Sequence, residues 1–419
     1  MKILMMTNTY KPIMGGLERS IELFTKEFRK KGHDVLIVAP EYENAPEEQG
    51  VIRIPAIQNF NGSDFSVQIP IHPGIIERIN SFGPDIIHSH HPFLMGATAL
   101  RVSAIQNVPL VYTFHTLFEQ YTAYLPKNKE ALRRFVVSLS SGFANLCDCV
   151  IAPSRSIADI LKERKVTVPI EIIPTGIEIG KFGIINRKKF RTEMNIPEEA
   201  FVIGYAGRIE EVKNLKFLAN AVAVFLKKEK KAHFILVGKG DMEDELKNYF
   251  KHESLDKRVH FCGAFSGQDL ADAYGAMDIF AFSSKSETQA IVLAEAMISK
   301  LPVIALDGPG VRDIVDDNRN GRLLHKDDPH EFAKLLSWFL HLPELEKKYM
   351  QDRAHRKALE FSLENCADNA LNLYTNTIRK GARYKAPDEN LWNSAMNRIR
   401  AEWDLLSNMA KAAGSALSE

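Results

Sequence analysis

The chain predicts an α/β protein built from two doubly wound units, and three observations carry that expectation. Short apolar runs of strand character alternate with helical patterns from end to end. The opening, MKILMMTNTYKPIMGGLERSIELFTKEFRKKGHDVLIVAP, reads strand, Gly-rich loop, helix, strand, and the same grammar returns at FVIGYAGRIEEVKNLKFLANAV. Length agrees: 419 residues with 45% hydrophobic content allow two domains, each burying its own core.

After the first strand, DVLIVAP, VIRIP, DIIHSH, PLVYTFH and CVIAPS are the clearest strands of the first half. Ligands of open α/β sheets sit at the carboxyl ends of strands, so residues there are the candidates for function. The pattern breaks across IEIIPTGIEIGKFG, where Pro174, Gly176, Gly180 and Gly183 make the natural hinge. The second half continues with FVIGYAG, AHFILVGKG, VHFCGA, DIFAFSS and PVIALDG. Expected domain limits are 1–175 and 185–360, followed by a helix over about 361–380 and a helical extension over 381–419. In that extension Trp392, Met396, Ile399, Trp403 and Leu406 fall at helical spacing. The expectation is a stripe docked on its own protein rather than a membrane anchor.

Composition narrows the function. A net charge of +1, from 54 basic and 53 acidic residues, argues against a nucleic-acid partner. Cys147, Cys149, Cys262 and Cys366 show neither C-x-x-C nor zinc spacing and read as reduced thiols of a cytoplasmic protein. The apolar opening is short and lacks a small-residue cleavage site, so it reads as a buried strand. No stretch approaches the roughly 20 apolar residues of a transmembrane helix.

The segment SSKSETQAIVLAEAM is the most informative. Glu287 falls in a loop rich in Ser and Lys, and Glu295 lies two helical turns later on about the same face. Two carboxylates flanking a helix N-terminus suit a ligand with an anionic middle and hydroxyls at both ends. A nucleotide-sugar has that shape. Upstream, Gly207 ends a strand and is followed by Arg208 and Lys213, two cations placed to neutralise a diphosphate. Gly15 and Gly16 remove side chains where backbone would approach a ligand. No G-x-G-x-x-G or Walker lysine accompanies them. His88, His90 and His91 cluster at a strand end, but imidazoles of one loop without a nearby carboxylate make a poor metal site. The chain also has no Asp-x-Asp. No metal or other cofactor is expected.

Together GGLER (residues 15–19), His115, Gly207-Arg208 with Lys213, VGKG (residues 237–240) and the Glu287-x7-Glu295 pair resemble glycosyltransferase family 4. The resemblance spans roughly residues 1–380. It implies the GT-B fold, two Rossmann-like domains facing across a cleft, with the helix near 361–380 returning to the first domain. It further implies a retaining transferase with a nucleotide-sugar as co-substrate. Arg208 and Lys213 would hold the diphosphate, Glu287 the sugar hydroxyls and Glu295 the ribose diol. His115 would contact the donor sugar near the transferring carbon. Gly15, Gly16, Gly207, Gln289, Ala290 and Ile291 complete the implied donor site. Many members carry Gly where this chain has Gln289-Ala290, so altered detail is expected there.

The segments HTLFEQYTAYLP and HSHHPFLMG are similar to the bacterial subgroup that glucosylates diacylglycerol. Tyr121 and Tyr124 would then border an acceptor groove. Lys127, Lys129, Arg133 and Arg134, interleaved with apolar residues over 127–143, suit either an anionic membrane surface or any surface helix. The expectation is transfer of glucose from UDP-glucose to a lipid acceptor, by a cytoplasmic protein peripheral to the membrane. A family 4 enzyme using a soluble sugar or glycan acceptor, for instance with GDP-mannose, and a non-catalytic nucleotide-sugar binder are the alternatives.

Overall fold

The computed structural model describes the chain except for residues 14, 58–66, 69–72, 122–128, 184, 385–390 and 418–419. It divides into one unit of Met1–Gly176 with Leu363–Glu419 and a second of Ile177–Ser362.

Seven parallel strands form the sheet of the first unit: β1 (Lys2–Met6), β2 (Asp34–Pro40), β3 (Val51–Ile54), β4 (Ile86–Ser89), β5 (Leu110–Thr113), β6 (Cys149–Ala152) and β7 (Ile170–Ile172). Their order is β3-β2-β1-β4-β5-β6-β7. Ile3 stands opposite both Val35 and Ile86, so β1 is central. Its residues from Ile3 to Met6 are fully buried because helices cover both faces, and the strand reads as one apolar run. Ile3 and Met5 pack with Ile21, Phe24 and Phe28 of α1 (Gly16–Lys30). Leu4 and Met6 belong to the opposite layer, with Met95, Ala99 and Leu100 of α2 (Met95–Gln106) and Phe143 of α3 (Lys129–Ala144).

The second unit repeats the winding with β8 (Phe201–Ala206), β9 (Ala232–Val237), β10 (Val259–Phe261), β11 (Ile279–Phe282), β12 (Val303–Leu306) and β13 (Gly321–Leu324). Their order is β10-β9-β8-β11-β12-β13, all parallel. Among its helices is α4 (Ile291–Ile298), whose Leu293, Ala294, Ala296 and Met297 join the core. In each sheet the winding reverses beside the first strand, at β1/β4 and at β8/β11. Such reversal points open a crevice at the carboxyl ends of the strands. Every strand expected from the sequence forms. Not expected are the edge strands β7 and β13, three and four residues long with Glu171 and Ile172 of β7 exposed, and a short antiparallel pair of Ala56–Ile57 with Val67–Gln68.

The chain then returns to the first unit. α5 (Leu363–Lys380) packs against α1, with the Tyr374 and Phe28 rings 5.7 Å apart and Lys31 on Asp368 at 2.7 Å. α6 (Leu391–Leu417) lies on α2 and α3, but not through the expected face. Among its described side chains Asn397, Ala401, Asn408 and Ala412 are the buried ones, whereas Ile399, Trp403 and Leu406 are 61%, 71% and 59% exposed. Of the expected stripe, Ile399, Trp403 and Leu406 therefore face away from the protein, Met396 is half-buried, and the side chain of Trp392 lies outside the described residues. Close packing explains the reversal: a Cβ on Gly142 of α3 would stand 1.8 Å from Asn408 Oδ1. Only short side chains fit so near an approach. Asn408 Nδ2 donates to the Leu139 carbonyl at 3.1 Å, and Arg101 grips Glu402 through two bonds of 2.6 and 3.0 Å. Arg134 donates to the carbonyls of Ser415 and Ala416 at 3.1 and 3.2 Å, so this cation of the basic stretch serves α6. Among the described residues no helix is long and apolar enough to cross a membrane.

Candidate functional site

In the second unit the site begins where β8, β9 and β10 end. Gly207 and Gly238 have φ of +147° and +144°, a region that L side chains avoid. A Cβ on Gly238 would stand 1.8 Å from the Gly207 carbonyl oxygen, and one on Gly240 would stand 2.2 Å from that of Ile209. The glycines of VGKG thus let two strand-end loops touch. Gly207 N donates to Val237 O and Ile209 N to Lys239 O, both at 2.9 Å.

This platform aims the cations. The buried Tyr205 hydroxyl donates to the Arg208 carbonyl at 2.9 Å. The Arg208 guanidinium, 46% exposed, meets Glu210 Oε1 at 2.7 Å. Lys213 ends a single 3-10 turn closed by the left-handed Asn214. Its carbonyl accepts from Ser283 Oγ at 2.9 Å, tying the turn to the end of β11. Its ammonium donates to Glu287 Oε1 at 2.7 Å. Burial works to raise the Glu287 carboxyl. The Lys213 charge and hydrogen bond, Ser284 and the Arg208 charge together outweigh burial and hold it below the usual carboxylate range.

Ala290 caps α4 in the left-handed region (φ +57°, ψ +50°), the conformation glycine adopts most easily, and no side chain caps the helix. Backbone N–H groups of the first turn can therefore face an anion. Gln289 and Ala290 are buried and Ile291 half-buried. Gly310 presses on this loop at φ +72°: a Cβ there would stand 2.8 Å from Gln289 N. Glu295 is 4% exposed, and Tyr274 Oη donates to its Oε2 at 3.2 Å. The structure thus joins Lys213 and Glu287 directly, sets Arg208 close enough to act on Glu287 by charge, and holds Glu295 in the helix behind them.

In the first unit a cluster of imidazoles stands at the reversal point. His115 follows β5, and its Nε2 lies 3.0 Å from His90 Nδ1. The His88 and His90 rings are 4.1 Å apart; Tyr374 Oη and Thr113 Oγ1 each lie 2.7 Å from a His88 nitrogen. His91 Nδ1 accepts from Asn8 N at 3.1 Å. Burial pushes His88 and His91 down to about 3 and places His90 and His115 well below the ordinary imidazole value. Among the described residues no group of three His, Cys, Asp or Glu side chains is arranged to hold a metal ion. A Cβ on Gly15 would stand 2.7 Å from Glu18 Oε2, the movable end of a side chain, and one on Gly16 would meet nothing within 4 Å. Tyr121 ends a short helix, Phe118–Tyr121, and its side chain, with the whole of Tyr124, lies outside the described residues.

Several supporting residues escape sequence reasoning. Asn8 receives the backbone N–H of Met95 at 3.0 Å and donates to the Phe93 carbonyl at 3.2 Å, shaping the loop that carries His90 and His91. Its only signal is its place just past the first strand. Gly310 is announced by the Gly-Pro-Gly after β12, whereas Tyr205 and Tyr274 look like ordinary core aromatics.

The family described as Glycosyltransferase Family 4 matches residues 14–181, and that described as Glycosyl transferases group 1 matches residues 186–356. The alpha-monoglucosyldiacylglycerol synthase of Streptococcus pneumoniae is 29% identical over 386 residues, 90% of this chain and 86% of that one. A GDP-mannose-dependent alpha-mannosyltransferase of Mycobacterium tuberculosis is 24% identical over 77% of this chain and 83% of its own. Among solved structures, Anabaena HepE in complex with UDP superposes with a TM-score of 0.71 at 20% identity, covering 90% of this chain and all of that one.

Proposed function

Because the chain belongs to glycosyltransferase family 4 and is a hexosyltransferase, we propose that it moves glucose from UDP-glucose to diacylglycerol, with retention at the anomeric carbon and without a metal ion. The observation that carries the donor half is the Lys213–Glu287 pair at the β8/β11 reversal point. An ionised carboxylate beside a lysine suits a sugar next to a phosphate. The acceptor half is supported by the pneumococcal relative, whose name specifies a glucosylated diacylglycerol.

Departure of UDP concentrates negative charge on its terminal phosphate oxygen. Arg208, Lys213 and the N–H groups at the start of α4 meet that charge. Glu287 accepts from sugar hydroxyls, and Glu295 serves the ribose. In this reading no carboxylate acts as a covalent nucleophile, so the acceptor hydroxyl attacks beside the leaving phosphate. The C1–O bond to UDP breaks as the new C1–O bond forms, and the hydroxyl proton passes to the departing phosphate.

Calorimetry and a transfer assay test both halves. UDP should bind more tightly than GDP or ADP, and labelled glucose should appear in a lipid extract. Glu295→Ala should weaken UDP binding at least about tenfold, through charge-assisted hydrogen bonds worth about 1.5–3 kcal/mol each. Glu287→Ala should spare UDP affinity and reduce turnover. Preference for GDP with transfer of mannose to a soluble glycan would favour the second reading, which the mycobacterial relative supports. Absence of both transfer and donor hydrolysis would leave a binder.

A further inference from the structure

At 100° per residue, Ile399, Trp403, Leu406, Ala410, Ala413 and Leu417 of α6 share one line along the helix, with Met409 beside it. That line runs about 27 Å. The buried residues Asn397, Ala401, Asn408 and Ala412 occupy the opposite line. Among the described residues ten large hydrophobic side chains are exposed, and five of them are Ile399, Trp403, Leu406, Met409 and Leu417. Half of the exposed bulk thus lies on one helix that its small-residue face already anchors.

Charge around the stripe is one-sided. Arg398, Arg400 and Lys411 are exposed and lie on the two flanks of the apolar line. The acids of α6 are Glu402 and Asp404. Glu402 is gripped by Arg101, and Asp404 accepts from Tyr384 Oη at 2.8 Å. An apolar ridge with a central Trp and a cationic rim matches an anionic lipid surface: the ridge enters the acyl boundary while Arg and Lys reach the headgroups. A second copy fits less well, because a symmetric pairing along this ridge sets cation against cation whether the helices run parallel or antiparallel.

We infer that the outer face of α6 docks the protein on an anionic bilayer. This deepens the lipid-acceptor reading by naming the surface that would meet the acceptor's membrane, and it rests on that reading only for its purpose. Of the basic stretch, Arg134 is engaged by α6, Arg133 is exposed, and Lys127 with the side chain of Lys129 lies outside the described residues.

The test is cosedimentation of the full chain with phosphatidylcholine vesicles, with and without phosphatidylglycerol. Wild type should bind the anionic vesicles, and added salt should weaken binding. The triple variant Ile399→Ser, Trp403→Ser, Leu406→Ser should lose at least about tenfold in vesicle binding. Its melting temperature and UDP affinity should stay unchanged, because these side chains are exposed. Arg398→Ser, Arg400→Ser and Lys411→Ser together should remove the preference for anionic lipid. Vesicle binding unaltered in the triple variant would overturn the inference, as would wild type that ignores anionic vesicles. So would a dimer that the triple variant dissolves, which would make a second copy the occupant. Stripe-dependent vesicle binding without glucosylation of diacylglycerol in detergent micelles would sink the acceptor reading and leave the docking face standing.

Discussion

The two units share one winding and reverse it at the same place, yet their strand ends carry opposite chemistry. In the second unit Arg208, Lys213 and Glu287 are charged, and Glu287 is held ionised against its burial. In the first, His88, His90, His91 and His115 are held neutral by theirs. The difference lies in what accompanies burial. Lysine and serine donors surround Glu287, whereas the imidazoles see one another, Tyr374 and Thr113. One winding can thus carry ionised side chains at the strand ends of one unit and neutral imidazoles at those of the other.

The sharpest way to break that contrast is to remove charge from the second unit. Lys213→Ala and Arg208→Ala should each lower the transfer rate by about 10² or more, the range for losing one preorganised electrostatic donor. Without Lys213, burial acts on Glu287 with less opposition, so its carboxyl titrates higher and the loss deepens toward acid pH. A chelator should change little. Full inactivation by EDTA, restored by magnesium or manganese, would move the charge stabilisation from side chains to a metal.

The second prediction concerns the neutral half. An imidazole lowered to about 3 by burial is neutral in the native state but protonates near 6.5 once unfolded. Between those values the unfolded state binds the extra proton, so stability is full above about 6.5 and falls as pH drops toward 3. Each such histidine adds a slope of about 1.4 kcal/mol per pH unit. His260 of the second unit, lowered to about 4 by burial, adds to the same trend. His88→Gln should therefore flatten the curve by one histidine's share, read as the urea midpoint between pH 6.5 and 4.5. An unchanged slope would show that His88 protonates in place and that the first unit is not neutral by design.

How much of this was readable beforehand follows from what each feature depends on. The strands were legible because buried parallel strands are apolar runs, as in KILMM and FVIGYA, and the helices between them alternate visibly. Glu287, Lys213 and Arg208 were legible because their spacing follows strand ends, and the structure brings Lys213 to Glu287. The docked face of α6 was not legible. Periodicity shows that a helix has two faces, but Gly142 decided which one could come close, and it lies 266 residues before Asn408. The left-handed turn at Ala290 was equally hidden, since alanine does not announce a positive φ.

That turn gives the smallest expected effect and the finest test of how the charged half binds. If α4 holds phosphate with backbone N–H groups, the side chain at its cap should hardly matter. An L-residue in the left-handed region costs about 1–2 kcal/mol relative to glycine. Against this, glycine loses roughly 0.5–1 kcal/mol more chain entropy on folding, and the buried methyl of Ala290 is worth about 0.8 kcal/mol. These terms nearly cancel, so Ala290→Gly should shift stability by no more than about 1 kcal/mol and leave UDP affinity within about threefold. Ala290→Val should fare worse on both counts, because a β-branched residue is a poor fit at positive φ. Thermal melts and calorimetry on the two variants decide the matter. A glycine variant that folds normally yet binds UDP more than tenfold worse would mean that the methyl itself, or the rigidity it imposes, belongs to the site.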